Sequence, residues 1–439
     1  MDRFEPNRLL LRARGIAAFR GVLDSVVGRN FLVLLGLLAS KRPDPVSVTD
    51  VCARLWGELA AAPEPLLEDA WQSHLVECIL QGEHPFALAA EKGKLSPLLL
   101  EQARRDLRTL RALFEFDAKT LIRAAEETVP ETSGLWAFPY HRLDVLDAPP
   151  RQALAQKLAA NDDWVELAGE LAEHFALHGA APFGRYKAFR WESSNLRPVP
   201  RPDPVRLTSL IGYEKERAPL LTNTDHLLAG LPSHHTLLYG QPGTGKSSTV
   251  KAILNEYADR GLRLVELTKE DLKGLPHVLD ALRGRGPRFI LFVDDLSFEE
   301  HEVEYKFLKA LLEGSVEEPP ENVRLYATSN RRNLIRERFS ERDEKDDVHA
   351  RDTMQEKLSL VARFGLRITF PAPDHKRYLE IVAGLVRERG IKIPATELKE
   401  RAILWDRWHA GRSGRTARQF VDELDAELSA GGRGESKHR

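Results

Sequence analysis

Cysteine is nearly missing from this sequence: Cys52 and Cys78 are the only two among 439 residues. Two thiols cannot staple a chain of this length or build a cysteine-rich metal centre, so a disulfide scaffold is excluded and buried free thiols are expected. An excess of one charge is also lacking. Sixty-four Lys and Arg stand against 66 Asp and Glu, a net charge of −2. No global basic field argues for nucleic acid, and only a local patch is left for that role. Long hydrophobic runs are absent too. The most apolar stretch, Phe31 to Ala39, is too short to span a bilayer and reads as a core helix. The polar start, Met1-Asp2-Arg3-Phe4-Glu5-Pro6, lacks the pattern of a signal peptide. A reducing, cytoplasmic location is the expectation, with no membrane partner. The length predicts two or three domains.

Residues 1–195 alternate apolar and charged positions at helical spacing. Leu98, Leu99, Ala103, Leu107, Leu110, Leu113 and Phe114 form one such stripe. An all-helical N-terminal domain is expected. His174 and His178 stand at i, i+4, but with no third ligand in view they read as a packed or solvated pair. Leu196 to Val205 alternates prolines, which favours an extended, semi-rigid linker over residues 196–205. From Arg206 onward, short apolar runs alternate with helical segments, the pattern of an α/β fold with a parallel sheet. This core is expected to run over 206–372, followed by a helical segment over 373–430 and a polar, disordered tail over 431–439.

Gly240-Gln241-Pro242-Gly243-Thr244-Gly245-Lys246-Ser247 fits G-x-x-x-x-G-K-[ST], the phosphate-binding loop. An apolar strand precedes it and a helix opens after it with Ser248. Glycines let successive N–H groups converge on phosphate oxygens, and the helix N-terminus adds partial positive charge. Lys246 should reach the β- and γ-phosphates, and the Ser247 hydroxyl should ligate Mg²⁺. Further on, Phe289 to Val293 is an apolar strand ending in Asp294-Asp295. Ligands gather at the carboxyl ends of parallel strands, so Asp294 is placed to hold Mg²⁺ and Asp295 to orient or deprotonate a water. A third apolar strand ends in Thr328-Ser329-Asn330, where Asn330 is placed to touch the γ-phosphate or the water, although Asn is equally an ordinary turn residue.

Taken in order, Leu210-Ile211-Gly212-Tyr213, the phosphate loop, the tandem-Asp strand, Thr328-Ser329-Asn330, Arg363-Phe364 and Ser413-Gly414-Arg415-Thr416-Ala417-Arg418 resemble an AAA+ ATPase. Leu237 to Tyr257, Phe298-Glu299-Glu300 and Thr328 to Arg332 are similar, more narrowly, to a bacterial family of predicted AAA ATPases of unknown function. The resemblance covers roughly Thr208 to Leu428. It implies a P-loop core with a C-terminal helical lid, ATP and Mg²⁺ as ligands, and a homo-oligomer acting on an unknown macromolecular client. It further implies that Ile211 and Gly212 lie against adenine. Asn330 takes the sensor-1 position, Arg363 is an arginine finger reaching a neighbouring subunit, and Arg418, or alternatively Arg415, is the sensor-2 arginine. Most members of the superfamily carry Asp-Glu where this chain has Asp294-Asp295. Replication initiators, helicase loaders and transposition ATPases share the tandem Asp, and the shorter second side chain implies slow hydrolysis. An ATP-dependent tethering switch and a P-loop kinase are the alternatives. The basic stretch Arg331 to Arg342 is a candidate contact for a phosphate backbone or a solvated loop.

Overall fold

The computed structural model describes residues 6–61, 65–137, 150–298, 305–313, 319–330, 360–409 and 411–435. The chain divides into two compact units, Met1–Arg185 with Arg285–Pro287, and Tyr186–Gly284 with Arg288–Arg439.

In the first unit the described regular structure is helical: α1 (Pro6–Arg14), α2 (Val26–Leu38), α3 (Pro45–Ala60), α4 (Ala70–Gln81), α5 (Pro85–Glu91), α6 (Pro97–Phe114), α7 (Ala118–Thr128), α8 (Pro150–Ala160) and α9 (Ala168–His178). The starts are written in local chemistry. Ser25, Asp44, Asp69, Ser96 and Asp117 each accept an N–H of the first turn, and Pro45, Pro85 and Pro97 open their helices where no N–H is needed. The stripe on α6 is buried from Ala103 to Phe114, whereas Leu98, in the first turn, is exposed. Asp106 is buried and accepts the N–H groups of Ala17, Ala18 and Phe19 at 2.9, 2.6 and 3.1 Å. Glu91, also buried, accepts from Ala180 N–H, Arg285 Nε and Gly286 N–H at 3.2, 2.7 and 3.2 Å. Cys52 is buried, Cys78 half-buried, and burial pushes both thiols up to about 12.

Burial pushes His84 down to about 4; its Nδ1 accepts the Ala87 N–H. His235, in the second unit, is likewise held at about 4, its Nδ1 accepting the Leu325 N–H. Both are neutral when folded and take a proton near pH 6.5 when unfolded. Their stabilisation is therefore complete above pH 6.5 and declines as pH falls toward 4, by roughly 3 kcal/mol for His84. Thermal unfolding followed by circular dichroism should move to lower temperature over that window. His84→Asn, which keeps a capping acceptor, should flatten part of the dependence.

The second unit is built on a seven-stranded sheet of β1 (Ala188–Glu192), β2 (Asn195–Pro198), β3 (Thr236–Gly240), β4 (Leu262–Leu267), β5 (Arg288–Val293), β6 (Val323–Ser329) and β7 (Leu366–Phe370), in the order β2-β1-β4-β5-β6-β3-β7. All neighbours pair in parallel except β1 with β2. The central strands β5 and β6 are buried, largely apolar runs, as strands covered on both faces must be. Helices α10 (Glu214–Leu228), α11 (Lys246–Tyr257), α12 (Leu275–Leu282) and α13 (Tyr305–Glu313) accompany the sheet. A C-terminal group of α14 (His375–Glu388), α15 (Ala395–Trp408) and α16 (Gly414–Glu435) follows. It packs through Tyr378, Ile381 and Leu385 of α14 and Phe420, Val421 and Leu424 of α16. The fold is thus an α/β unit on a mostly parallel sheet with a C-terminal helical group, and a separate helical N-terminal unit.

Two boundaries differ from those expected of the sequence. The units divide after Arg185, not after residue 195, because 188–198 forms a β-hairpin in the sheet. Its turn, Ser193-Ser194, is left-handed at both residues (φ 50° and 63°) without a glycine to announce it. Pro198 is tolerated because β2 is an edge strand. The remainder of the proline-rich stretch is not a free spacer: Asn255 of α11 donates to the carbonyls of Asp203 and Val205 at 2.7 and 2.8 Å. At the other end, α16 runs into the segment expected as a tail and ends at Glu435; residues 436–439 lie outside the described ones.

Gly240 ends β3 beside Phe370 of β7 with φ 143°. A Cβ there would sit 2.0 Å from the Phe370 carbonyl oxygen. Gly240→Ala is expected to destabilise the unit by roughly 3 kcal/mol or more, read as a lowered denaturant midpoint.

Candidate functional site

The chain leaves β3 at Gly240, curls through Gln241 to Gly245 and enters α11 at Lys246. The curl needs left-handed backbone at Gly243 (φ 76°) and Gly245 (φ 89°), which glycine adopts without cost. The loop and the start of α11 line a cleft of about 500 Å³ at the carboxyl ends of the strands. Lys246 is buried, and its ammonium donates to the carbonyls of Gly240 and Gln241 at 3.0 and 2.9 Å and to Asn330 Oδ1 at 3.0 Å. Burial pulls its pKa below the ordinary lysine value, opposed by the charges of Asp295 and Asp294.

Beside the lysine, Ser247 Oγ donates to Asp294 Oδ1 at 2.5 Å. Thr328 Oγ1, at the end of β6, donates to the same oxygen at 2.5 Å and accepts the Asp295 N–H at 2.9 Å. Asp295 has left-handed backbone (φ 51°), uncommon for a residue with a side chain. Its Oδ1 accepts from Asn330 Nδ2 at 2.7 Å. Asn330 therefore bridges the lysine and the second aspartate, oxygen toward one and nitrogen toward the other. Strands β3, β5 and β6 are neighbours in the sheet, and that is why three segments distant in sequence meet here.

The opposite wall is apolar. Leu210, Ile211, Ile381 and Leu385 line it. Ile211 sits so close over Gly384 that a Cβ there would lie 2.2 Å from its Cδ1. The third wall comes from α16. Arg415 N–H donates to the Gly243 carbonyl at 3.3 Å, and both Arg415 and Arg418 line the cleft. Pro242, Thr244 and Ser248 line it as well. Gly212, Gly240 and Gln241 adjoin it without lining it. Arg363 is elsewhere. It precedes β7, whose first residue Leu366 pairs with Thr236 at the start of β3, so it lies at the end of the sheet away from the phosphate loop.

Thr328, Tyr213 and Arg217, to which the sequence alone assigned no role in the site, also line the cleft. Arg217 is buried and donates to the Leu210 carbonyl at 2.5 Å. A small polar residue at the end of a strand was the available signal for Thr328; nothing local marks Arg217. His174 and His178 are both buried, their rings 4.8 Å apart. Among the described residues no group of three or more His, Cys, Asp or Glu could hold a metal ion. The basic stretch from Arg331 to Arg342 and Glu299-Glu300 lie outside the described residues.

A family profile described as "Protein of unknown function (DUF815)" matches residues 184–428, more than half of the chain. The chain belongs to the DUF815 family. The match in this DUF815 chain begins at the division between its two units and takes in every cleft residue named above. No protein of curated function matches its sequence. Among solved structures, it is similar to the Holliday junction branch migration motor RuvB of Thermotoga maritima, with 19% identity and a TM-score of 0.36 over 52% of this chain and 66% of that one. A proline-to-glycine variant of RuvB gives 19% identity and 0.35, with 52% and 67% covered. The DUF815 chain thus spans just under two thirds of the first of these. No described helix of it is long and apolar enough to cross a membrane.

Proposed function

We propose that the second unit binds ATP with Mg²⁺ in this cleft and hydrolyses it at interfaces between subunits of a homo-oligomer, to remodel or load a macromolecular partner. The observation that carries the reading is the convergence of Lys246, Ser247, Asp294, Asp295 and Asn330 at one end of the sheet. The apolar wall at Ile211 suits a base, and the loop N–H groups with Lys246 suit the phosphates. The residues fit a magnesium ion. A hydroxyl and a carboxylate 2.5 Å apart are the sparse protein share that Mg²⁺ takes when substrate phosphates and water complete its shell. Ser247 Oγ and Asp294 would hold it, directly or through water, and when bound it neutralises charge on the β- and γ-phosphate oxygens.

The remaining work falls to the chain's own groups. Asp295 accepts the proton of the attacking water, and Asn330, already bonded to Asp295, orients that water. Arg418 or Arg415 of α16 meets phosphate from the lid side. Arg363, remote from its own cleft, acts in that of a neighbour. The short reach of Asp295 and its bond to Asn330 favour slow turnover, so a tethering switch that hydrolyses only to release its partner is the second reading.

Asp295→Asn is the direct test. The amide keeps the shape and can still accept from Asn330 but cannot take a proton. MgATP affinity, measured with a fluorescent analogue, is expected to stay within about threefold. Phosphate release should fall by about 10²-fold or more. Wild-type turnover in this variant would remove Asp295 from the role of base.

A further inference from the structure

We propose that Thr328 is the positioning residue of the two aspartates, its single hydroxyl holding Asp294 for the metal and Asp295 for the water. The inference rests on the nucleotide reading above and deepens it. A hydroxyl has one donor and two acceptor lone pairs. Thr328 spends the donor on Asp294 Oδ1 (2.5 Å) and one lone pair on the Asp295 N–H (2.9 Å). The side chain is buried at the end of β6, held between β5 and β3, so its position is set by the sheet.

Both bonds have consequences in the cleft. Asp294 Oδ1 also accepts from Ser247 Oγ, so two hydroxyls, one from the start of α11 and one from the end of β6, clamp one carboxylate oxygen. That fixes the rotamer of Asp294 beside the serine. The bond to the Asp295 N–H pins backbone that departs from β5 in a left-handed turn (φ 51°), a conformation that surrounding contacts must enforce on a residue with a Cβ. That turn carries the Asp295 carboxylate to Asn330, 2.7 Å away. A side chain one methylene shorter than glutamate is brought into the cleft by its backbone, and Thr328 holds that backbone.

Thr328→Val is nearly isosteric and deletes both bonds; Thr328→Ser restores the hydroxyl. Three quantities decide: affinity for a fluorescent ATP analogue without divalent cation, the gain in that affinity on adding Mg²⁺, and the rate of phosphate release. The full-length Thr328→Val protein should keep the Mg²⁺-free affinity and a cooperative unfolding transition, at a somewhat lower melting temperature. It should lose most of the Mg²⁺-dependent gain and at least about 10²-fold in rate. Thr328→Ser should return both to within a few-fold of wild type. A wild-type Mg²⁺ gain and rate in Thr328→Val overturn the inference. Equal loss of Mg²⁺-free binding, or no recovery in Thr328→Ser, would make Thr328 a packing residue and overturn it as well. If the wild-type protein itself binds no ATP, the nucleotide reading fails and takes this inference with it. Wild-type binding with an unaltered Thr328→Val sinks the inference alone.

Discussion

Lys246→Ala is expected to bind ATP at least about 10²-fold more weakly than wild type, because it removes the cation placed at the loop where the β- and γ-phosphates would sit. Hydrogen bonds to charged groups contribute about 1.5–3 kcal/mol each, and each 1.4 kcal/mol is a factor of ten. Lys246 now donates to two carbonyls of its own loop and to Asn330. Of these partners Asn330 is the exchangeable one, being a side chain at the open end of the cleft, whereas the carbonyls belong to the loop itself. A phosphate oxygen would take its place and bring opposite charge to an ammonium whose burial disfavours its charged form. The variant should fold, since the loop's curl is set by Gly243 and Gly245 and not by the lysine. Isothermal titration with MgATP, alongside a circular dichroism spectrum, reads both. Undiminished affinity in a folded Lys246→Ala protein would remove the basis of the nucleotide reading.

Most of the site was legible because its chemistry is contiguous. The phosphate loop lies within eight residues of sequence, and Phe289 to Asp295 announces itself as an apolar run ending in carboxylates. Strands β5 and β6 were legible for the same reason: buried parallel strands are runs of apolar residues. What was hidden depends on tertiary placement. The hairpin β1–β2 is short, half-exposed and joined by two serines in left-handed backbone, so neither its pattern nor its turn was visible. Arg217 acts through a backbone carbonyl that only the fold brings near. For Thr328, one hydroxyl among small strand residues becomes informative only once β5 and β6 are known to be adjacent. The spacing after Gly414 could not separate Arg415 from Arg418, and the structure shows why: α16 turns both toward the cleft.

Arg363→Ala is expected to bind ATP like wild type and yet hydrolyse almost none. The reasoning is geometric. β7 runs from Leu366, beside the start of β3, to Phe370, beside the phosphate loop, and Arg363 precedes its start. The length of the strand separates this guanidinium from its own cleft, so any role at a γ-phosphate must be played in a neighbouring subunit. A fixed guanidinium that stabilises charge in phosphoryl transfer contributes about 10³–10⁵ in rate and little to ground-state binding. Loss of Arg363 should then leave the isolated pocket intact while disabling the one next to it. Mixing gives the decisive measurement. Arg363→Ala subunits keep a pocket but lack the arginine; Lys246→Ala subunits lack the pocket but keep the arginine. Each alone should be inactive, and combined they should recover part of the wild-type phosphate release wherever an Arg363→Ala pocket meets a Lys246→Ala neighbour. Specific activity of the wild type should also rise with protein concentration as subunits assemble. A mixture that stays inactive although both variants assemble, or a wild-type monomer hydrolysing ATP at a concentration-independent specific rate, would show that Arg363 does not act across an interface.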